Sequence, residues 1–229
     1  MHPVRKFMNS RFMRYLLPFL YAAVLLWAYM LFLYSPSVTD EEYAIYSVLI
    51  KDFLESDNAP VVIQDRTTIS SEYDRFGGML GRLGKMKLED YIDRKSVGEE
   101  HYRTVERMHR EFQKDLSKEL IADFLRKDRN RAVIEDRFTS GIQCVLISRK
   151  GEIQLSAENR RFWKEFYKRY SDAAGLIHFS RIGFNKGKTR ALLYAEFSRA
   201  SLWGEGTLYI LEKHAGQWTI INYSNLWIS

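Results

Sequence analysis

The chain has 229 residues, with 35 Lys and Arg against 29 Asp and Glu, a formal charge of +6, 46% hydrophobic and 28% charged residues. That apolar and aromatic content excludes a disordered chain. The single Cys excludes a disulfide framework and an all-cysteine zinc site.

Residues 15–34 read YLLPFLYAAVLLWAYMLFLY, and only Pro18 is neither apolar nor aromatic. Twenty such residues at about 1.5 Å each match a hydrocarbon core of roughly 30 Å. The run has no polar face of the kind a soluble amphipathic helix keeps, so it predicts a transmembrane signal-anchor helix. Arg5, Lys6, Arg11 and Arg14 precede it within a basic flank, residues 1–14, and Asp40, Glu41 and Glu42 follow it. The excess of bases before the run predicts a cytoplasmic N-terminus, with residues 38–229 outside, periplasmic or extracellular. The alternative is a secreted chain, cleaved near Ser37 after the small residues Ser35 and Ser37.

The first element of the outer domain is a helix. Thr39 and Glu42 fit a capping box, and Tyr43, Tyr46, Leu49, Ile50, Phe53 and Leu54 recur at helical spacing. Residues 57–60, Asp-Asn-Ala-Pro, end it. Residues 61–64, VVIQ, predict a short buried strand leading into the polar turn of Asp65, Arg66, Thr67 and Thr68. The glycine-dense 77–84, GGMLGRLG, reads as a loop. Tyr102, Val105, Met108, Phe112, Leu116, Leu120 and Phe124 define one face of a long helix over 99–127, or of two helices broken near Ser117. Residues 142–147 predict a strand containing Cys144. Residues 159–170 predict an aromatic helix with Phe162, Trp163, Phe166, Tyr167 and Tyr170 on one face. Runs at 176–184, 191–197, 206–211 and 217–228 are β-rich, and turn residues separate them. They predict an antiparallel β-meander. The fold class is α+β, with a helical layer packed on that C-terminal meander.

The last third also carries a resemblance. Phe179, Ser180, Arg181, Gly183, Phe184 and Asn185, then Glu212 and Lys213, Gly216 and Trp218, and the final Leu226-Trp227-Ile228-Ser229 follow the pattern FSRxGFN, LLEKxxGxW, LWIS. This resembles a family of uncharacterised bacterial exported or membrane-anchored proteins. The helix RFWKEFYKRY and the IQDRTT segment are similar to that family too. The resemblance implies a fold and an exported location, and no activity. Some relatives have glycine- and cysteine-rich hairpin connections where this chain has residues 199–204, RASLWG, so no redox or ligand role is expected of that loop.

Local motifs for chemistry are missing. The histidines are His2, His101, His109, His178 and His214, without HExxH, and Glu106 with His109 makes only one Glu-x-x-His where a di-iron bundle needs two. His178, in a predicted strand, reads as a satisfied, partly buried residue. There is no Gly-x-Ser-x-Gly elbow. Cys144 among apolar neighbours reads as a buried, unreactive thiol. Gly81 to Lys85 fails as a phosphate loop at Met79 and Met86. Arg160, Lys164 and Lys168 on the aromatic helix, and the bases of residues 126–131, read as solvated faces and a helix C-terminus. No catalytic residue, metal site or cofactor is therefore assigned.

The remaining lead is a polar cluster in core-forming segments: Asp65, Arg66, Thr67, Ser180, Arg181 and Asn185. An arginine within a strand needs a partner, and Asp65 or Glu196 could supply it. The plainer outcome is a buried ion pair locking helices to sheet; the sharper one is a small polar ligand pocket. The expected partners are the lipid bilayer, through residues 15–34, and an envelope protein or polymer. Outside the basic flank 31 bases (35 less four) stand against 29 acids, so no nucleic-acid partner is expected. The sequence does not set an oligomeric state. The expected function is binding or interaction in the bacterial cell envelope, the alternative an envelope hydrolase with dispersed acid and base residues.

Overall fold

A computed structural model describes Tyr21 and residues 37–54, 59–69, 112, 114–157 and 161–228. The predicted anchor at 15–34 (Tyr21 aside), the glycine loop at 77–84 and the first part of the long helix lie outside the described residues. No described helix is long and apolar enough to cross a membrane. The chain divides into two units, Met1–Pro36 and Ser37–Ser229, and the second is α+β.

Its helices are α1 (Asp40–Leu54), α2 (Lys118–Lys127), α3 (Arg149–Ala157) and α4 (Phe162–Arg169). Its strands are β1 (Val61–Gln64), β2 (Cys144–Ile147), β3 (Leu176–Phe179), β4 (Gly183–Phe184), β5 (Arg190–Ala200), β6 (Trp203–His214) and β7 (Gln217–Ile228). The sheet order is β2-β1-β3-β5-β6-β7, with β4 also on β5. The predicted meander is present, since β3, β5, β6 and β7 pair antiparallel in turn. The sheet continues beyond it, because β1 pairs parallel with both β2 and β3.

α1 starts where the capping box requires. Thr39 Oγ1 accepts the Glu42 N–H at 3.3 Å, and Glu42 Oε2 accepts the Thr39 N–H at 2.9 Å. Each reciprocal bond satisfies a donor that the first helical turn leaves open. The long-helix pattern breaks at Leu116–Ser117. Ser117 Oγ accepts the Leu120 N–H at 3.1 Å and caps α2.

The alternation of strand side chains builds different cores on the two faces of the sheet. On one, Tyr46, Leu49 and Ile50 of α1 pack with Ile63, Ile177, Phe179, Leu193 and Phe197. On the other, Leu120 and Phe124 of α2 pack on Leu192, Leu208 and Ile210, and Phe166 of α4 with Leu155 of α3 packs on Val62 and Leu176. The expected helical layer is divided between the two faces of the sheet, because β5 and β6 bury apolar residues in both phases of their alternation.

Two further readings change. The predicted strand 176–184 is two strands, broken at Ser180–Ile182, where the Ser180 hydroxyl accepts the Tyr194 N–H at 2.8 Å and replaces a backbone rung. α3 is not legible as a helix in the sequence: Gly151 in its first turn lowers helix propensity and its apolar residues are few. The last hairpin turns at Ala215 (φ 49°) and Gly216 (φ 85°), two left-handed residues in succession as a two-residue turn of this twist demands.

Candidate functional site

The predicted polar cluster separates into three places. Arg181 is buried against Glu42, with Nε to Oε1 at 2.9 Å and side-chain exposures of 7% and 0%. A second guanidinium nitrogen reaches Oε2 at 3.3 Å, and the Ile182 N–H donates to Oε1 at 3.3 Å. The expected partners Asp65 and Glu196 are corrected to Glu42, because the first turn of α1 lies over the Ser180 corner. There Tyr46 Oη donates to the Ser180 carbonyl at 2.7 Å. Ser180 itself is spent on backbone, its hydroxyl donating to the Arg181 carbonyl at 2.8 Å.

Asn185 belongs to the β4–β5 turn. Its Oδ1 accepts the Thr189 and Arg190 N–H groups at 2.8 and 3.0 Å. Asp65, Arg66 and Thr67 extend β1 toward residues 132–134. Thr67 Oγ1 accepts the Ala132 N–H at 2.8 Å, Arg66 bridges Val133 through its backbone, and the Arg66 side chain is exposed. The six residues therefore do not form one pocket.

A connected polar array lies elsewhere, on the face that carries α2, α3 and α4. His178 is buried on β3, directly opposite Glu196 of β5. Its Nε2 faces the Glu152 carboxylate of α3 at 3.1 and 3.2 Å, and its Nδ1 lies 3.4 Å from Glu196 Oε2. Gln64 of β1 donates to Glu152 Oε2 at 2.7 Å. Tyr194 donates to Glu196 Oε1 at 2.6 Å and accepts the Trp227 indole N–H at 2.9 Å. Gly206 makes that last bond possible, since a Cβ there would fall on the Trp227 nitrogen and the Tyr194 hydroxyl.

Burial opposes protonation of His178, but its bonds to Glu152 and Glu196 and their charges outweigh this and push its pKa up to about 9. Burial by itself would raise Glu152, yet the His178 and Gln64 bonds and the charges of His178 and Arg149 hold it below the usual carboxylate range. At neutral pH the ring is an imidazolium whose two N–H groups face carboxylates. It cannot accept a proton, so it is not poised as a general base. The array is a hydrogen-bonded clasp across β1, β3, β5, β7 and α3, one imidazolium between two carboxylates.

Sequence reasoning missed this array. The period-two placement of Tyr194 and Glu196 on a buried strand was the available signal, since a carboxylate there demands a partner. Glu152 gave none, because α3 itself was not recognised. Cys144 is half-buried, and burial pushes its thiol up to about 11, so it stays protonated and unreactive at neutral pH.

A cavity of about 590 Å³ opens at the carboxyl ends of the parallel pair β1 and β2, the end of a parallel sheet where ligands collect. Its floor is Ile134, Leu146 and Ile147. Asp65 stands in the wall, its backbone held by the Ile147 carbonyl and the Ile134 N–H, both at 2.8 Å. Asp65 Oδ1 is buried and accepts no hydrogen bond among the described residues. Glu135, Asp136, Arg169 and Tyr170 complete the lining, with Ser148 and Gly151 from the start of α3. Of the six predicted residues, the cavity takes Asp65 alone. No described group of three or more His, Cys, Asp or Glu residues could hold a metal ion. No protein-family model, curated protein or solved structure matches the chain.

Proposed function

We propose that this chain is a membrane-anchored protein of the bacterial cell envelope whose domain from Ser37 onward acts outside the cytoplasmic membrane by binding rather than by turnover. One observation carries the location: the apolar run at 15–34, with four bases before it and three acids soon after, matches the length and charge asymmetry of a signal-anchor. The bilayer is then the first partner, and an envelope protein, polymer or small molecule the second. Binding is supported by the state of the polar groups. Arg181 and His178 are each neutralised by carboxylates, whereas the cavity keeps carboxylates and a guanidinium along an apolar floor.

The hydrolase reading would rest on the His178–Glu152 pair. A ring held protonated cannot serve as the base, and the carboxylates beside it are taken up by His178, Gln64 and Tyr194.

Fusion of alkaline phosphatase, and separately of β-galactosidase, to the C-terminus tests the location. Phosphatase activity with silent galactosidase is expected, in a product of unshortened mass that resists alkaline extraction from membranes. The reverse activities overturn the topology, and a shortened, extractable product replaces the anchor by cleavage near Ser37.

A further inference from the structure

The cavity at the carboxyl ends of β1 and β2 has a lining that selects among ligands. Its acids are Asp65, Glu135 and Asp136, its base is Arg169, and its floor is aliphatic. A metal ion is a poor match, because the described carboxylates do not converge into a metal-holding group. A wholly apolar ligand is a poor match as well, since it would take water from the carboxylates of Asp65, Glu135 and Asp136 along the wall without supplying a donor, and a carboxylate gains most from a charged N–H. Arg169 forms no ion pair among the described residues, and its guanidinium lies 5.5 Å from the Tyr170 ring centroid. Arg169 lines the same cavity as Ser148 and Gly151 at the start of α3, and a guanidinium fork and a helix N-terminus both favour a carboxylate. The volume lies within the range of small-molecule pockets, about 300–1,000 Å³, and is larger than a single amino acid needs.

From this lining we propose that the cavity binds a zwitterionic short peptide, its ammonium at Asp65 beside Glu135 and Asp136, its carboxylate at Arg169, and an apolar side chain on Ile134, Leu146 and Ile147. This names a ligand class for the binding role proposed above and rests on it. The domain's location is a separate matter, since the cavity lies wholly within the folded unit.

Isothermal titration of the full chain in detergent with L-leucyl-L-leucine is the test. Three further titrants dissect it: the N-acetyl dipeptide, the dipeptide amide, and cadaverine as an amine without a carboxylate. The dipeptide is expected to saturate one site per chain. N-acetylation removes a charge-assisted bond and should weaken binding roughly tenfold or more. Amidation should weaken binding of the wild type and make no difference to Arg169→Gln, which locates the carboxylate. Asp65→Asn, isosteric at an atom without a partner, should match the N-acetylation loss while melting at the wild-type temperature. Absence of saturable binding, equal binding of the N-acetyl dipeptide, or cadaverine binding as tightly as the dipeptide would each overturn the proposal. A failed titration leaves the reporter-fusion result standing, and a failed topology leaves the titration standing, so the two readings fail separately.

Discussion

Glu42 accepts five hydrogen bonds: two from Thr39, two from Arg181 and one from the Ile182 N–H. One carboxylate thus caps α1, neutralises a buried guanidinium and fixes the corner between β3 and β4. Glu42→Gln keeps the shape and removes the charge, leaving Arg181 buried without compensation. Such a loss costs about 3–5 kcal/mol, to be read by chemical denaturation followed through tryptophan fluorescence. The pair Glu42→Gln with Arg181→Met removes both charges while keeping a side-chain oxygen for the Thr39 or Ile182 N–H group, and it should recover most of that loss, as apolar replacement of a buried charge does. His178 makes the second prediction, one of pH. Its folded-state pKa of about 9 lies above its ordinary 6.5. Its contribution to stability is therefore whole below about pH 6.5 and is lost as pH rises through 9, on the order of 3 kcal/mol in all. Glu152 is shifted the other way, down from 4.5, so its contribution is present above about pH 4.5 and is lost as pH falls through the lowered value. Denaturation midpoints between about pH 6 and 9 should decline in the wild type and much less in His178→Gln; parallel declines would remove His178 as the cause. At this scale the sequence was half legible. Thr39 and Glu42 stand three apart and announce a cap, and Arg181 announces a need for a partner. That Glu42 meets both demands follows only from where α1 lies, 139 positions away in the chain.

At the scale of elements, α2 docks where a side chain is missing. A Cβ on Gly183 of β4 would come within 2.5 Å of both the Phe124 nitrogen and its Cβ, so the helix backbone rests directly on the strand. Around that contact the Phe184 N–H donates to Asp123 at 2.8 Å, and Lys127 donates to the Ile182 carbonyl at 2.9 Å. Gly183→Ala must push the helix outward, and overpacking of this kind costs about 1–3 kcal/mol. Gly187→Ala is the control, since its nearest neighbour would be Thr189 Cγ2 at 3.8 Å; it should stay within about 0.5 kcal/mol. Equal effects of the two substitutions would refute the close-approach argument. Elements with strong periodicity or turn chemistry were readable in advance: α1 from its cap and stripe, the break before α2 from Ser117, the last hairpin from Ala215-Gly216. The parallel addition of β1 and β2 was not. A four-residue apolar run such as VVIQ or CVLI states that a strand is buried but not which neighbour it takes, and that pairing decides where Asp65 and the cavity fall.

At the scale of the whole molecule, the charge of +6 divides sharply along the chain. Four bases precede residue 15 and no acid occurs before Asp40, while the remaining residues hold 31 bases against 29 acids. A pI near 9.3, taken for the chain as a whole, would suggest a polyanionic partner. Divided this way, much of the excess sits on the short flank of the apolar run, where orientation is set by bases rather than by net charge. The proposed topology therefore makes a demand on four residues that precede the unit Ser37–Ser229 in the chain. Replacing Arg5, Lys6, Arg11 and Arg14 by Gln or Asn removes the flank's bases and leaves Ser37–Ser229 unaltered. If those charges hold the N-terminus in the cytoplasm, the quadruple variant should retain a larger share of its C-terminus inside. With the C-terminal reporters, phosphatase activity should fall and galactosidase activity should appear. Moving four Lys residues to positions just after the run should strengthen the inversion, because the bias then points the other way. Unchanged reporter activities in both variants would mean that the flank does not set orientation, and the basic excess of this chain would need another use.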